Sequence, residues 1–261
     1  MITSISNAQV KQVCAYVQKA KERRKDGIFV VEGAKMFEEA PADWISKVYV
    51  TQSFYDRHIS DDIGKKLERT GYELVSDEVF LKMSDTKTPQ GVLCLVKSPR
   101  YTVEDLMKFR QGIFVVLEDL QDPGNLGTII RTGEGAGIAG VIMTKDTVDI
   151  FNPKTIRATM GSVYRVPFVY VQDIGEAIGK LQQAGIAVYA AHLKGEAYYD
   201  AFDYSKGSAF LIGNEGNGLK ETTAQLADSY VKIPMAGQVE SLNAAVAATL
   251  FMYEATRQRG F

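Results

Sequence analysis

AFLIGNEGNGLKETTAQLADSYVKIPMAGQVESLNAAVAATLFMYEATRQ, residues 209–258, decides how the rest of the chain is read. An apolar run, Ala209 to Ile212, ends in a glycine-rich loop from Gly213 to Gly218. A second apolar piece, Tyr230 to Ile233, is stopped by Pro234 and opens a loop from Met235 to Glu240. A long helix is predicted from Ser241, with Leu242, Val246, Leu250 and Tyr253 on its buried face. Two strand ends carrying adjacent loops, beside a helix N-terminus, make a concave place for a small ligand. Open α/β sheets bind ligands at the carboxyl ends of their strands.

Upstream, strands and helices alternate. IFVVLE (113–118) is a strand, Asn125 to Glu134 a helix, Val141 to Met143 a strand, and Asn152-Pro153 opens another helix. RVPFVYV (165–171), IAVYAAH (186–192) and SAFLIG (208–213) are strands, with a helix from Asp173 to Gln183 between the first two. This order predicts a mostly parallel, buried sheet. Pro167 marks its strand as an edge or irregular one. Gly135 to Gly140 match GxGxxG, but they close a helix and lead into a strand. A dinucleotide fingerprint does the reverse, so they are read as helix-ending glycines. No Gly-Lys-Ser/Thr follows within the loop, so the spacing gives poor support to a phosphate loop.

The first 97 residues predict a smaller α/β unit. Asn7 to Lys25 reads as one amphipathic helix with Val10, Val13, Cys14 and Val17 inward. Strands follow at IFVVEG (28–33), WISKVYV (44–50), YELV (72–75) and GVLCLV (91–96), with helices from Ala34 to Ala40 and Phe54 to Thr70. Asp77 is the expected cap of a short helix reaching Met83. Residues 98–112 read as a linker with a short helix from Val103 to Phe109, and 113–261 as the second domain.

With 261 residues, 46% hydrophobic and 24% charged, the composition is that of an ordinary globular protein. No apolar run approaches the ~18 residues of a membrane helix, and the N-terminus has no signal-peptide core. Cys14 and Cys94 form no CxxC pair and only His58 and His192 accompany them, so no metal site is expected. Free thiols suit a cytoplasmic protein. The net charge of −2 does not advertise a nucleic-acid binder, yet KAKERRKDG (19–27) concentrates positive charge. That run is either a phosphate-facing arm or a solvated helix face.

EDLQDPGNLGTIIRTGEGAG (118–137), IGNEGNGL (212–219) and IPMAGQVESLNAAVAA (233–248) resemble, in order, the three motifs of the SpoU/TrmH family of SPOUT-class RNA 2′-O-ribose methyltransferases. The resemblance covers about 150 residues; the N-terminal part resembles, more loosely, the RNA-holding domain of such enzymes. It implies a C-terminal SPOUT-type parallel sheet with a deep trefoil knot and an N-terminal α/β domain of ribosomal-protein-like fold. It implies S-adenosylmethionine as cofactor, structured RNA as substrate (23S ribosomal RNA ahead of transfer RNA), a homodimer with the RNA site across two subunits, and no metal.

Residue by residue, the resemblance places Arg131, Asn125, Glu215, Ser241 and Asn243 at the catalytic site. It places Gly213, Ile233 and Leu242 at the cofactor, with Met235 completing an apolar wall for adenine. His192 either lines the same pocket or is an ordinary surface histidine. Asn125 is also a good helix cap, and Ser241 or Asn243 caps the last helix on structural grounds alone. Glu215 either caps the segment after it or orients Arg131 as a supporting carboxylate. Arginine stays protonated, so Arg131 fits an electrostatic clamp on phosphate and alkoxide better than a general base. Two rival readings are a non-catalytic RNA-binding module and a SPOUT enzyme that methylates a base nitrogen.

Overall fold

The computed structural model describes residues 1–195 and 197–260. The chain forms two compact units, Met1–Pro99 with Asp149–Tyr164, and Arg100–Val148 with the chain from Arg165 on.

In chain order the first segment carries α1 (Ala8–Gln18), α2 (Ala20–Asp26), β1 (Ile28–Glu32), α3 (Ala34–Glu39), β2 (Ile45–Thr51), α4 (Gln52–His58), α5 (Asp62–Thr70), β3 (Glu73–Val75), α6 (Asp77–Met83) and β4 (Val92–Lys97). β4 runs antiparallel between β1 and β2, and β3 extends β2 in parallel, giving the order β1-β4-β2-β3. The core joins Val10, Val13 and Tyr16 of α1 to Tyr49, Val79, Phe80 and Leu93.

Three predicted elements differ here. The helix from Asn7 breaks at Lys19, whose backbone is extended, so α1 and α2 are separate. Tyr16 takes the buried place expected of Cys14 and Val17, which are half-buried. The helix expected from Phe54 to Thr70 is interrupted at Ile59 to Asp61, because the Asp61 side chain accepts from Gly64 N and caps a new helix. Ser76, not Asp77, caps α6.

The basic run is not wholly solvated either. Arg23 is 4% exposed and ion-paired to Asp149 at 2.6 Å. Its Nη1 also donates to the carbonyls of Tyr16 and Val17 at the end of α1. The guanidinium thus satisfies helix carbonyls that have no intrahelical partner.

The remaining elements are α7 (Val103–Leu106), β5 (Ile113–Leu117), α8 (Pro123–Gly135), β6 (Gly140–Thr144), α9 (Pro153–Thr159, in the first unit), β7 (Phe168–Val171), α10 (Ile174–Gln183), β8 (Ala187–Ala191), β9 (Ala197–Tyr198), β10 (Ser208–Ile212), α11 (Glu221–Ala224), β11 (Ser229–Lys232) and α12 (Ala244–Gln258). The second unit's strands form one sheet, ordered β7-β6-β5-β10-β8-β11-β9, and every neighbouring pair is parallel. β5, β6 and β10 are buried at every residue, as strands covered on both faces must be. β7, the strand after Pro167, lies at the edge as expected. Strand order reverses around β5: β6 and β7 lie to one side, β10, β8, β11 and β9 to the other. The two short elements β9 and α11 were not legible, being two and four residues long.

The last helix corrects the sequence reading twice. It starts at Ala244, with Asn243 as its cap accepting from Ala245 N and Val246 N. Its buried face is Ala244, Ala245, Ala248, Phe251, Met252 and Ala255, whereas Val246 and Tyr253 are 49% and 42% exposed. Small residues let α12 approach α8 and β10 closely, which turns the bulkier stripe outward.

Candidate active site

A cavity of about 330 Å³ opens at the carboxyl ends of β8, β10 and β11. Ala191, His192 and Leu193 follow β8, Ile212 to Leu219 follow β10, and Val231 to Ile233 end β11. Met235, Glu240, Ser241 and Leu242 close one side, and Ala244, Ala247 and Phe251 of α12 form the floor. Gly213, Ile233, Leu242, Met235 and His192, the five expected cofactor contacts, all line it, as do Glu215 and Ser241.

The glycine-rich loop is fixed by contacts that only glycine permits at its entry. A Cβ on Gly213 would lie 2.1 Å from the Gly218 carbonyl carbon and the Leu219 nitrogen. Asn214 and Gly218 exchange backbone hydrogen bonds of 3.1 and 2.9 Å, and Asn214 Oδ1 accepts from Gly216 N and Asn217 N. The turn is therefore a closed ring that holds Glu215 at its crest.

Glu215 reaches across to the start of α8. It accepts from Gln121 N and Asp122 N, both at 2.9 Å, and from Asn125 Nδ2 at 3.0 Å. Burial pushes its pKa up, but the Gln121 N–H, the Asn125 amide and the Asp122 N–H together outweigh that and hold it below the usual glutamate value. It makes no bond to Arg131 among the described residues; it binds the amides leading into the helix instead.

Asn125 is not the cap of α8. Asp122 is, accepting from Asn125 N at 2.8 Å, with Pro123 at the first helical position. That frees the Asn125 side chain, whose Oδ1 accepts from Asn243 Nδ2 at 2.9 Å. Glu215, Asn125 and Asn243 thus form one hydrogen-bonded chain joining the three motif segments. Asn125 and Asn243 stand beside the cavity rather than in its lining.

Arg131 lies on the exposed face of α8, six residues and about 9 Å along the axis from Asn125. It is outside the cavity lining and has no hydrogen-bond or ion-pair partner among the described residues. Its neighbours Ile129 and Ile130 are fully buried, so the backbone beneath it is held.

Sequence reasoning missed the carboxylates that tie these loops together. Glu118, 2% exposed, accepts from Lys220 N at 2.8 Å and Thr223 Oγ1 at 2.5 Å. Asp119 holds a left-handed backbone (φ 52°), receives Lys220 Nζ at 2.7 Å, and accepts Asn214 Nδ2 on its carbonyl. The Lys220 contact, followed by the Thr144 hydroxyl, lowers the Asp119 pKa against burial. A Glu-Asp pair closing a buried strand was the available signal.

On the far wall, His192 Nδ1 accepts from Lys194 N at 3.1 Å, which leaves the Nε2 side for the proton of a neutral ring. The ring lies against Tyr230, tilted by 33° with centroids 5.0 Å apart. Between Met235 and Leu242 no backbone N–H donates a hydrogen bond within the protein, among the described residues. These amides, the carboxylates of Glu215 and Glu240, and the walls of Ile212, Ile233, Leu242 and Phe251 suit a ligand with a flat apolar part, polar edges and positive charge. No group of His, Cys, Asp or Glu that could hold a metal ion lies among the described residues.

An all-parallel sheet with a built cavity at the carboxyl ends of its strands is that of a ligand-binding α/β protein. Comparison with known proteins narrows the class. The SpoU rRNA methylase family matches residues 112–253, and the MRM3-like substrate binding domain matches 7–94. The chain is 32% identical over 255 residues, 97% of each chain, to the 23S rRNA (guanosine(2553)-2′-O)-methyltransferase RlmP of Bacillus subtilis. It superposes on the AdoMet-bound rRNA methyltransferase of Sinorhizobium meliloti with a TM-score of 0.85, at 33% identity over 98% of this chain and 97% of that one. The SpoU methyltransferase AviRb of Streptomyces viridochromogenes in complex with AdoMet gives 0.86, at 29% identity over 97% and 98%. The chain belongs to the SpoU rRNA methylase family and is an RNA methyltransferase.

Proposed function

We propose that this protein transfers a methyl group to a ribose 2′-hydroxyl of 23S ribosomal RNA. S-adenosylmethionine is its cofactor and, when bound, supplies an electrophilic methyl on a sulfonium. The observation that carries the reading is the hydrogen-bonded chain Glu215–Asn125–Asn243 at the edge of a cavity lined by two carboxylates and by Glu240, Ser241 and Leu242, whose backbone N–H groups donate no hydrogen bond among the described residues. The relative that acts on a 2′-oxygen of 23S rRNA supports the choice of RNA and atom.

The residues divide the work. Ile233, Met235, Leu242 and Phe251 take the flat face of adenine, and the backbone amides of Met235, Glu240, Ser241 and Leu242 bind its polar edges and those of its ribose. Gly213 lets the backbone come close, His192 closes the far wall, and Glu215 and Glu240 offset positive charge. Ser241, Asn243 and Asn125 orient the attacking oxygen at the mouth, so that alignment rather than activation of the donor lowers the barrier. Arg131 binds the phosphate next to the target ribose and stabilises the oxygen as its proton leaves.

Arg131 is exposed and outside its own cavity lining, which supports an RNA site built across two copies of the chain. The exposed Val246 and Tyr253 face of α12 is the apolar surface that pairs them. The trefoil knot and a cytoplasmic location belong to the same reading. Mapping ribose methylation along 23S rRNA from cells with and without the gene tests it: one ribose should lose its methyl in the deletion. An unchanged ribose map, or a change confined to transfer RNA, contradicts the proposal.

A further inference from the structure

At the opposite end of the second unit's sheet, the amino ends of β5, β6 and β7 surround a groove of about 750 Å³. Lys108, Arg110, Arg165 and Arg259 line it, and no carboxylate does. This stands out, because residues 101–261 carry 14 Lys and Arg against 18 Asp and Glu. Four of those cations meet in one place on an otherwise acidic half of the chain.

The cations are held differently. Arg259 is anchored to the fold, donating to the carbonyls of Tyr204, Gln111 and Lys206. Arg165 is held by both carboxylate oxygens of Glu134, whereas Lys108 pairs with Asp105 at exposed positions where a single contact exchanges readily. Arg110 is exposed, with no hydrogen-bond or ion-pair partner among the described residues. Between Lys108 and Arg110 stands Phe109, 58% exposed and also lining the groove. Two mobile charges, two held charges and an exposed aromatic ring in a single trough have the composition of a single-strand nucleic-acid track.

We propose that this groove binds a single-stranded stretch of the substrate RNA, distant in space from the methylated ribose. Lys108 and Arg110 contact phosphates and Phe109 stacks on a base. The proposal rests on the reading of this protein as an RNA methyltransferase. It makes the amino-terminal edge of the sheet a second grip, so that affinity for a long RNA exceeds what the catalytic mouth supplies.

The test uses the full chain, protein-free 23S rRNA and a labelled oligouridylate, titrated over a range of salt. The variants are K108E with R110E, F109A, and F109W as the conservative rescue. Loss of two phosphate contacts should lower the log K against log salt slope by about 1.4 and weaken oligouridylate binding roughly tenfold or more at low salt. F109A should weaken binding with no change of slope, and F109W should restore it. S-adenosylmethionine binding, which also checks folding, and kcat at saturating rRNA should stay at the wild-type level while KM for rRNA rises. Wild-type affinity and slope in the charge-reversed protein overturn the inference. So does displacement of polyglutamate but not RNA, which would make the groove a site for acidic protein. A wild-type protein that binds the cofactor yet binds neither RNA overturns the functional reading together with this one, and differs from groove failure in that no salt slope exists to compare.

Discussion

Asn125 Nδ2 donates to Glu215 Oε1 over 3.0 Å, joining the first turn of α8 to a loop 90 residues further on in sequence. The same carboxylate holds two backbone N–H groups at the entry of α8. Its position therefore depends on helix α8, and the opening of the cavity depends on its position. Three donors converge on one acceptor, which is an arrangement a neutral amide cannot replace.

Substituting Glu215→Gln puts an NH₂ group among donors and leaves at least one of them unmet. The expected cost is about 1 kcal/mol, because the site is partly open to solvent. Urea denaturation measures it. Calorimetry should show S-adenosylmethionine affinity reduced, with the fold intact.

The same residue sets a pH dependence. Its folded pKa lies below the unfolded value, so the stability it contributes is fully present above the unfolded pKa and is lost as pH falls through the folded one. The gap in unfolding free energy between wild type and Glu215→Gln should be constant near neutrality and shrink in acid, below the usual glutamate value. A gap that widens in acid contradicts the assignment.

Gly213→Ala adds a methyl group 2.1 Å from the backbone of Gly218 and Leu219. Backbone on both sides cannot yield without opening the turn. The expected destabilisation is about 1–3 kcal/mol, with calorimetric binding of S-adenosylmethionine abolished. Normal binding would mean that the turn is not part of the cavity wall.

Arg131→Lys keeps the charge but loses the planar fork. Since Arg131 does not line the cavity, cofactor affinity should be unchanged. Methyl transfer to RNA should fall by roughly two orders of magnitude or more, measured under single-turnover conditions. Wild-type turnover would remove Arg131 from the mechanism.

Val246→Glu with Tyr253→Glu places charge on the exposed face of α12. Sedimentation should show a dimer for the wild type and a monomer for the variant, with loss of RNA methylation and retained folding. A wild type that sediments as a monomer contradicts a site shared between copies.

The parallel sheet and the edge position of β7 were legible because each depends on local signals, buried apolar runs and Pro167; the cavity-lining residues were legible through the resemblance of the three motifs. Asn125 was misread as a cap because Asp122 also fits that role, and only the helix start distinguishes them. The face of α12 was misread because large apolar residues suggested burial, while close packing against α8 selected alanines. The break at Lys19 and the inward turn of Arg23 toward Asp149 depend on a contact between residues 126 apart in sequence, which no local pattern encodes. Glu118 and Asp119 were passed over for the same reason: their partners, Lys220 at the cap of α11 and Thr223 within it, arrive from more than a hundred residues on.

The most direct test of the central claim follows labelled methyl from S-adenosylmethionine into 23S rRNA with purified protein. The RNA is then hydrolysed in alkali, which cannot cleave next to a 2′-O-methyl ribose. The account predicts label in alkali-resistant dinucleotides, absent with Arg131→Lys. Label released in mononucleotides carrying a methylated base, or no label in RNA at all, would contradict it.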